Sequence, residues 1–175
     1  MQIWNQTINA LSETIFEKPS FKASAIDRHC VILLDGFFEY HHQGKKKFPF
    51  YISPTEGPMY VSGLYEKTNI DGLEWNMFTI VTTEGNDLMR KIHNNPKNPN
   101  RMPVLLRQDQ ILDWLAPTNK DDPTEIEKLK LDFFQPSPED SIITHTVAPL
   151  QGKAGMGNRP EAQEEYIHLN LALEL

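Results

Sequence analysis

Residues 30–83 alternate short runs of branched and aromatic residues with turn dipeptides, and this alternation limits the possible folds more than any other feature of the chain. The runs are 30–34, 37–41, 48–52, 59–62 and 77–83. Asp35-Gly36, Gln43-Gly44, Glu56-Gly57-Pro58 and Asp71-Gly72 separate them, which is the chemistry of hairpins and tight loops. The runs therefore predict an antiparallel, barrel-like sheet. Ahead of them a strand-like segment with Trp4 and Ile8 opens the chain without any leading element, which hints at a missing front.

Helical signals take over downstream. A helix is expected over 84–93, with Thr83 as its cap and Leu88, Met89 and Ile92 on one face. A Pro/Asn-rich loop covers 94–100, a short strand 103–106, and an amphipathic helix runs through Ile111, Leu112 and Leu115. In Asp122-Pro123-Thr124-Glu125 the aspartate suits an N-cap, proline the first helical position and glutamate the return bond of a capping box, with Ile126 and Leu129 facing inward. After a strand-like run at 142–147, Gly152, Gly155 and Gly157 punctuate a mobile loop over 151–160. The class is α+β: a mostly antiparallel, barrel-like β-sheet with a few short peripheral helices. A length of 175 residues fits one domain over 1–175.

Composition excludes several classes. With 39% hydrophobic and 23% charged residues the chain is not disordered or collagen-like. The net charge of −7 means that nucleic-acid binding requires a local basic patch. A single cysteine, Cys30, rules out an internal disulfide and a Cys-rich zinc site and points to a reducing compartment. No apolar run reaches the roughly 18–20 residues that cross a bilayer, and the start lacks a signal-peptide pattern. A cytoplasmic monomer without membrane partner, metal or cofactor is expected. His41 and His42 are neighbours on a strand, so their side chains point to opposite faces and do not chelate one ion.

Three polar residues stand out by placement: Asn9 near the start, Glu39 within Phe37-Phe38-Glu39-Tyr40, and His93 at a helix end. Each has a plain structural reading. A glutamate among aromatics points outward by strand alternation, a histidine in a last helical turn suits the helix C-terminus, and an asparagine serves a turn. Cys30 opens an apolar run, where a cysteine is a small buried hydrophobe with an inert thiol. A Cys–His enzyme built on Cys30 and His93 is an alternative without local support. The three lysines after Gly44 suit a solvated hairpin tip, and also phosphate contact. No phosphate-cradling P-loop or nucleophile elbow is present.

Four blocks carry a resemblance to a known family. They are Ile8-Asn9-Ala10-Leu11-Ser12-Glu13-Thr14 with Lys18-Pro19-Ser20-Phe21; Arg28-His29-Cys30-Val31-Ile32 with Asp35-Gly36-Phe37-Phe38-Glu39-Tyr40; Phe48-Pro49-Phe50-Tyr51-Ile52 with Gly63-Leu64-Tyr65-Glu66; and Thr79-Ile80-Val81-Thr82-Thr83-Glu84 through Ile92-His93, with Arg101-Met102-Pro103-Val104. In order and spacing over about 8–115 they resemble the SOS response-associated peptidase family of abasic-site processing proteins. The resemblance implies reaction with the ring-opened aldehyde of an abasic site in single-stranded DNA. It also implies an autopeptidase, hydrolase-type activity. The family nucleophile is a cysteine exposed after removal of the initiator Met, whose amine and thiol together form a thiazolidine crosslink. Onto this sequence the resemblance carries Asn9 as the residue orienting the nucleophile, Glu39 in proton transfer and His93 as general acid/base. Phe37, Phe38 and Tyr40 would make the acid's surroundings apolar and raise its pKa. Lys22, Thr83, Lys97 and Arg101 are the expected DNA contacts.

The family pattern is not followed everywhere. Its Met-Cys-Gly-Arg start and W-G-x-I-P stretch have no counterpart, since Met1 is followed by Gln2 and lies eight residues before Asn9. A family member lacking its front and its nucleophile is therefore expected, with no crosslinking by this chain. Cys30 aligns with a strand cysteine and does not replace the nucleophile. Leu11 stands where the family has a phosphate-holding arginine, and the loop over 94–100 is longer than the family's. The alternatives are a non-catalytic single-stranded DNA-binding module and a degenerate fragment with an exposed sheet edge.

Overall fold

The computed structural model describes residues 8–119, 121–152 and 155–173. Trp4 and its neighbours lie outside them. The chain divides into two compact units, and the segments of each are interleaved along the sequence. The first takes its described residues from Met1–Leu33, Tyr60–Glu84 and Met102–Pro136; the second from Leu34–Met59, Gly85–Arg101 and Ser137–Leu175. The α+β class with mostly antiparallel strands and short helices stands, divided between two sheets.

In the first unit β1 (Asn9–Leu11), β2 (His29–Leu34), β5 (Met59–Ile70) and β6 (Leu73–Glu84) form a sheet in the order β1-β6-β5-β2. β5 and β6 pair antiparallel from Gly63↔Ile80 to Ile70↔Leu73. The predicted runs 59–62 and 77–83 are thus parts of two twelve-residue strands, joined through Asp71-Gly72. Both turn residues have positive φ, 53° and 81°, as the hairpin twist requires. β1 adds parallel to β6, with Asn9 opposite Ile80 and Leu11 opposite Thr82. The expected strand at 103–106 is two short pieces, β7 (Arg101–Pro103) on β6 and β8 (Leu105–Leu106) on β5. Between them Val104 donates its N–H to Val81 O and accepts from Ser62 N–H.

Gly63 marks a close approach of two strands. A Cβ there would run into Ile32 and Cys30 of the neighbouring strand, with Cys30 Sγ 2.9 Å away.

The first unit's core gathers around Trp114 of α4 (Ile111–Leu115), which is fully buried. Its ring stacks on His29 at 4.2 Å and 12° and meets Phe133 and Phe134 edge-on at 5.5 and 6.3 Å. The indole N–H donates to Cys30 O at 2.9 Å, so the buried donor is satisfied. Both His29 ring nitrogens reach carbonyls, Trp114 O at 2.7 Å and Ala25 O at 2.9 Å. The expected apolar face of this helix is corrected: Leu112 is 80% exposed and Leu115 43%, and Trp114 is the buried anchor.

α5 (Pro123–Phe133) buries Leu129 and Phe133, with Ile126 half-buried. Asp122 caps it by accepting the Thr124 N–H at 2.9 Å. The predicted capping box does not close, because Glu125 accepts from Asn119 N–H at 2.8 Å while Asp122 N–H goes to Asn119 O.

The second unit is built on β3 (Phe37–Gln43), β4 (Lys46–Pro54) and β9 (Ile142–Thr146), antiparallel in the order β3-β4-β9. β4 is its buried centre, with Phe48, Phe50 and Ile52 on one face. α3 (Asp87–Ile92) packs on β3 and buries Met89 and Ile92. This helix is shorter than predicted. Its cap is Asn86, whose side chain accepts from Met89 N–H at 2.9 Å, and not Thr83. Thr83 closes β6 instead, and its buried hydroxyl donates to Phe134 O at 2.6 Å. Of the loop expected over 151–160, residues 153 and 154 lie outside the described set. Gly152 and Gly157 there adopt positive φ.

Candidate active site

Glu39 and His93 both belong to the second unit, and Asn9 belongs to the first. Glu39 sits mid-strand on β3 opposite Phe50, half-buried, on the same face as His41 by alternation. Its Oε1 accepts the N–H of Tyr40 at 2.9 Å. Burial, and then the Glu39 charge beside it, hold the Tyr40 phenol above its ordinary pKa.

His93 follows α3 directly and ends it, with its own N–H bonded to Met89 O at 2.7 Å. The Arg101 main chain holds the ring: the Arg101 N–H donates to Nδ1 at 2.9 Å, and Arg101 O lies 3.0 Å from the same atom. In the neutral ring Nδ1 therefore accepts the amide and the proton sits on Nε2. In the cation the Nδ1–H faces Arg101 O. Either way Nδ1 is occupied, and Nε2 has no hydrogen-bond partner among the described residues. That leaves one nitrogen for proton exchange with a bound molecule.

The loop between His93 and Arg101 folds back so that its two ends meet. Asn100 turns the chain with φ 56°, donates its N–H to His93 O at 2.6 Å and accepts from Gly85 N–H at 2.9 Å. A Cβ at Gly85 would lie 2.6 Å from Asn100 Oδ1 and 2.9 Å from Met89 Cβ, so only glycine admits this approach.

Three bonds tie the end of α3 to β3. His41 Nδ1 lies 2.8 Å from Lys91 O. Asn94 uses both ends of its side-chain amide on one peptide-like edge: Oδ1 accepts from His42 N–H at 2.7 Å and Nδ2 donates to His42 O at 2.9 Å. The geometry follows from the hairpin. A two-residue turn at Gly44-Lys45 makes Gln43↔Lys46 the closing pair, so at His42↔Lys47 the main-chain groups of His42 point away from β4. β3 is an edge strand, and Asn94 pairs that edge as a neighbouring strand would. The strand carrying Glu39 and the helix end carrying His93 thus share one hydrogen-bonded framework. Asn94 and His41 escaped sequence reasoning, because their partners lie about fifty residues away and no local signal marks them.

The other predicted residues scatter. Asn9 is exposed on β1. Lys22 is exposed at the end of α1 (Pro19–Lys22), and Lys97 is exposed near the middle of the loop that grips His93. Arg101 is half-buried and begins β7. Cys30 lies on β2, and burial raises its thiol pKa, which keeps it protonated and unreactive. His41 and His42 use different atoms on different partners, the ring of one and the main chain of the other. Among the described residues no three His, Cys, Asp or Glu side chains cluster.

The elements carrying Glu39 and His93 are thus joined by hydrogen bonds, and a carboxyl and an imidazole are residue types that acid/base chemistry uses. Residues 1–153 match the sequence profile of a family described as SOS response associated peptidase (SRAP), and the chain belongs to that family. It is 34% identical over 168 residues to the abasic site processing protein YoqW of Bacillus subtilis, covering 94% of this chain and 70% of that protein. It is 36% identical over 170 residues to YobE, an abasic site processing protein of the same organism, covering 94% and 69%. The crystal structure of a Bacteroides thetaiotaomicron protein superimposes with a TM-score of 0.80 at 30% identity, covering 95% of this chain and 68% of that one. No helix among the described residues is long and apolar enough to cross a membrane.

Proposed function

We propose that this chain processes abasic sites in single-stranded DNA, with His93 as general acid/base and Glu39 in proton transfer. Capture of the sugar aldehyde needs two proton movements. The cyclic hemiacetal must lose its hydroxyl proton and gain one on the ring oxygen to open, and the carbinolamine formed with an amine must be protonated at the departing hydroxyl. An imidazole with one nitrogen fixed and the other open can give and take a proton at a single place. What carries the reading is the framework of His41, Asn94 and the Arg101 main chain, which holds the imidazole and the Glu39 strand together. Asn9 keeps the orienting role by resemblance, as do an associated autopeptidase activity and phosphate contact by Lys22, Lys97 and Arg101. Thr83 keeps its role as a DNA contact by resemblance as well, with its hydroxyl donating to Phe134 O.

A polypeptide of these 175 residues forms no stable crosslink on this reading. A thiazolidine needs an amine and a thiol on one residue, and the nitrogen of Cys30 is locked in a peptide bond. The Met1 amine gives only a reversible imine. A gel-stable adduct on Cys30 or Met1 would overturn this point.

The acid/base roles are tested by supplying the nucleophile from outside. Free cysteine is a 1,2-aminothiol and condenses slowly with an abasic site in single-stranded DNA. The protein should accelerate that condensation by on the order of 100-fold. The gain should vanish in Glu39→Gln and His93→Asn. No acceleration, together with equal binding of abasic and intact strands, rejects the function.

A further inference from the structure

The −7 charge is unevenly spread. The first unit holds eight cationic and fourteen acidic residues; in the second, segments 34–59 and 85–101 hold seven cations against four carboxylates, a net of +3, and segment 137–175 holds two cations against six. The cations concentrate at one end of β3 and β4. No acidic residue occurs between Glu39 and Glu56, or from 88 to 101. Lys45 lies in the β3–β4 turn and Lys46 and Lys47 begin β4, with Lys91 at the end of α3 and Lys97 in the following loop. All five are exposed, and none is paired with a carboxylate among the described residues.

The main chain joins these groups into one surface. Asn94, the residue after His93, is pinned at both ends of its amide to His42, the cross-strand partner of Lys47. Asn95 Oδ1 accepts the Lys97 N–H at 3.1 Å and Asn95 O the Asn98 N–H at 3.1 Å, so the loop is a closed turn presenting Lys97. Unpaired, exposed ammonium groups in a net-acidic protein are placed to meet an anion, and a row of them meets a repeating one.

We propose that the hairpin lysines Lys45, Lys46 and Lys47, together with Lys97, form a phosphate-tracking surface that holds the backbone of single-stranded DNA where it leaves His93. The proposal rests on the function given above and extends it. It assigns the basic turn to affinity along the strand and leaves the lesion to Glu39 and His93. Backbone contacts of this kind are blind to base and lesion and are sensitive to salt.

The test uses the triple variant Lys45→Gln/Lys46→Gln/Lys47→Gln and the single variant Lys97→Gln. Binding is read by anisotropy across a salt series, on an oligonucleotide carrying a tetrahydrofuran abasic analogue and on its intact counterpart. The triple variant should bind both strands at least tenfold more weakly at low salt. Its plot of log affinity against log salt should be shallower by about 2, since each single-strand phosphate neutralised contributes about 0.7. Lys97→Gln should shift the slope by about a third as much. An unchanged melting temperature shows that the turn variants fold. If wild type binds and the triple variant keeps the same slope, or loses affinity only on the abasic strand, the surface assignment is wrong while the function stands. If wild type binds neither strand, both fall.

Discussion

The two units are held together differently. In the first, a fully buried tryptophan collects His29, Phe133 and Phe134 around itself, and α5 adds Leu129. In the second, a three-stranded sheet meets a six-residue helix, and much of the joining falls to side-chain bonds onto the main chain: His41 to Lys91, Asn94 to His42, Asn86 to Met89 and Ser137. Apolar packing is non-directional and tolerant of small shifts, whereas amide and imidazole contacts define distances to a few tenths of an ångström. The unit that carries Glu39 and His93 uses the second kind of joint. Stability and catalysis should therefore respond to different substitutions.

The largest effect is expected in the aromatic core. Trp114→Ala leaves a cavity among three rings and removes the indole donor from the Cys30 carbonyl, at a cost of about 3–5 kcal/mol in urea unfolding. Its melting temperature should fall steeply, with the loss of activity following the loss of fold.

Asn94→Ala removes two hydrogen bonds at an edge strand and should cost about 1–2 kcal/mol. Activity with free cysteine should suffer more than that stability loss accounts for, because the helix end carrying His93 is released from the strand carrying Glu39. The His93 ring resonances in NMR should broaden or shift. In Asn94→Asp a carboxylate faces His42 O, so the defect should deepen as pH rises through the carboxylate range. Equal activity in the wild type and Asn94→Ala would dissolve the contrast between the units.

A smaller effect belongs to Cys30. Burial raises its thiol pKa in the folded state, so the native protein binds that proton more tightly than the unfolded chain does. Its contribution is fully present below the unfolded thiol's pKa and is lost as pH rises through the raised folded value. Cys30→Ala should flatten this alkaline decline in stability, and iodoacetamide should label the native thiol more slowly than a free one.

The smallest effect is at Asp122, whose carboxyl is held below the ordinary range chiefly by the Thr124 hydroxyl and then by the Thr124 N–H. The cap's contribution is present at neutral pH and fades as pH falls through that lowered value. Asp122→Ala should remove this acid sensitivity with only a slight fall in helix content by circular dichroism.

Much of the fold was readable in advance because its signals are local. Alternating β-rich runs, Gly-containing turns and the Asp122-Pro123 start located most of the strands and the longest helix, with errors mainly at their ends. The misses share one cause. Thr83 has the right chemistry for a cap, yet its hydroxyl found Phe134 O, 51 residues away, and the helix began later at Asn86. Leu112 and Leu115 fit an apolar period, but the ring of Trp114 took the buried position. Glu125 completed a capping-box pattern and then bonded Asn119, outside the helix.

For the proposed site, residue type and order are what single out Glu39 and His93, since motif residues are chemical and their identity is written in the chain. Their arrangement is another matter. That Nδ1 of His93 is held by the Arg101 peptide, and that Asn94 ties the helix end to His42, depend on groups brought together from distant segments by the pairing of β3 and β4. Periodicity and propensity are properties of neighbours in sequence. Which proton donor meets which acceptor is decided by the register of strands and the packing of a helix upon them, where the free energy is shared among many weak contacts at once.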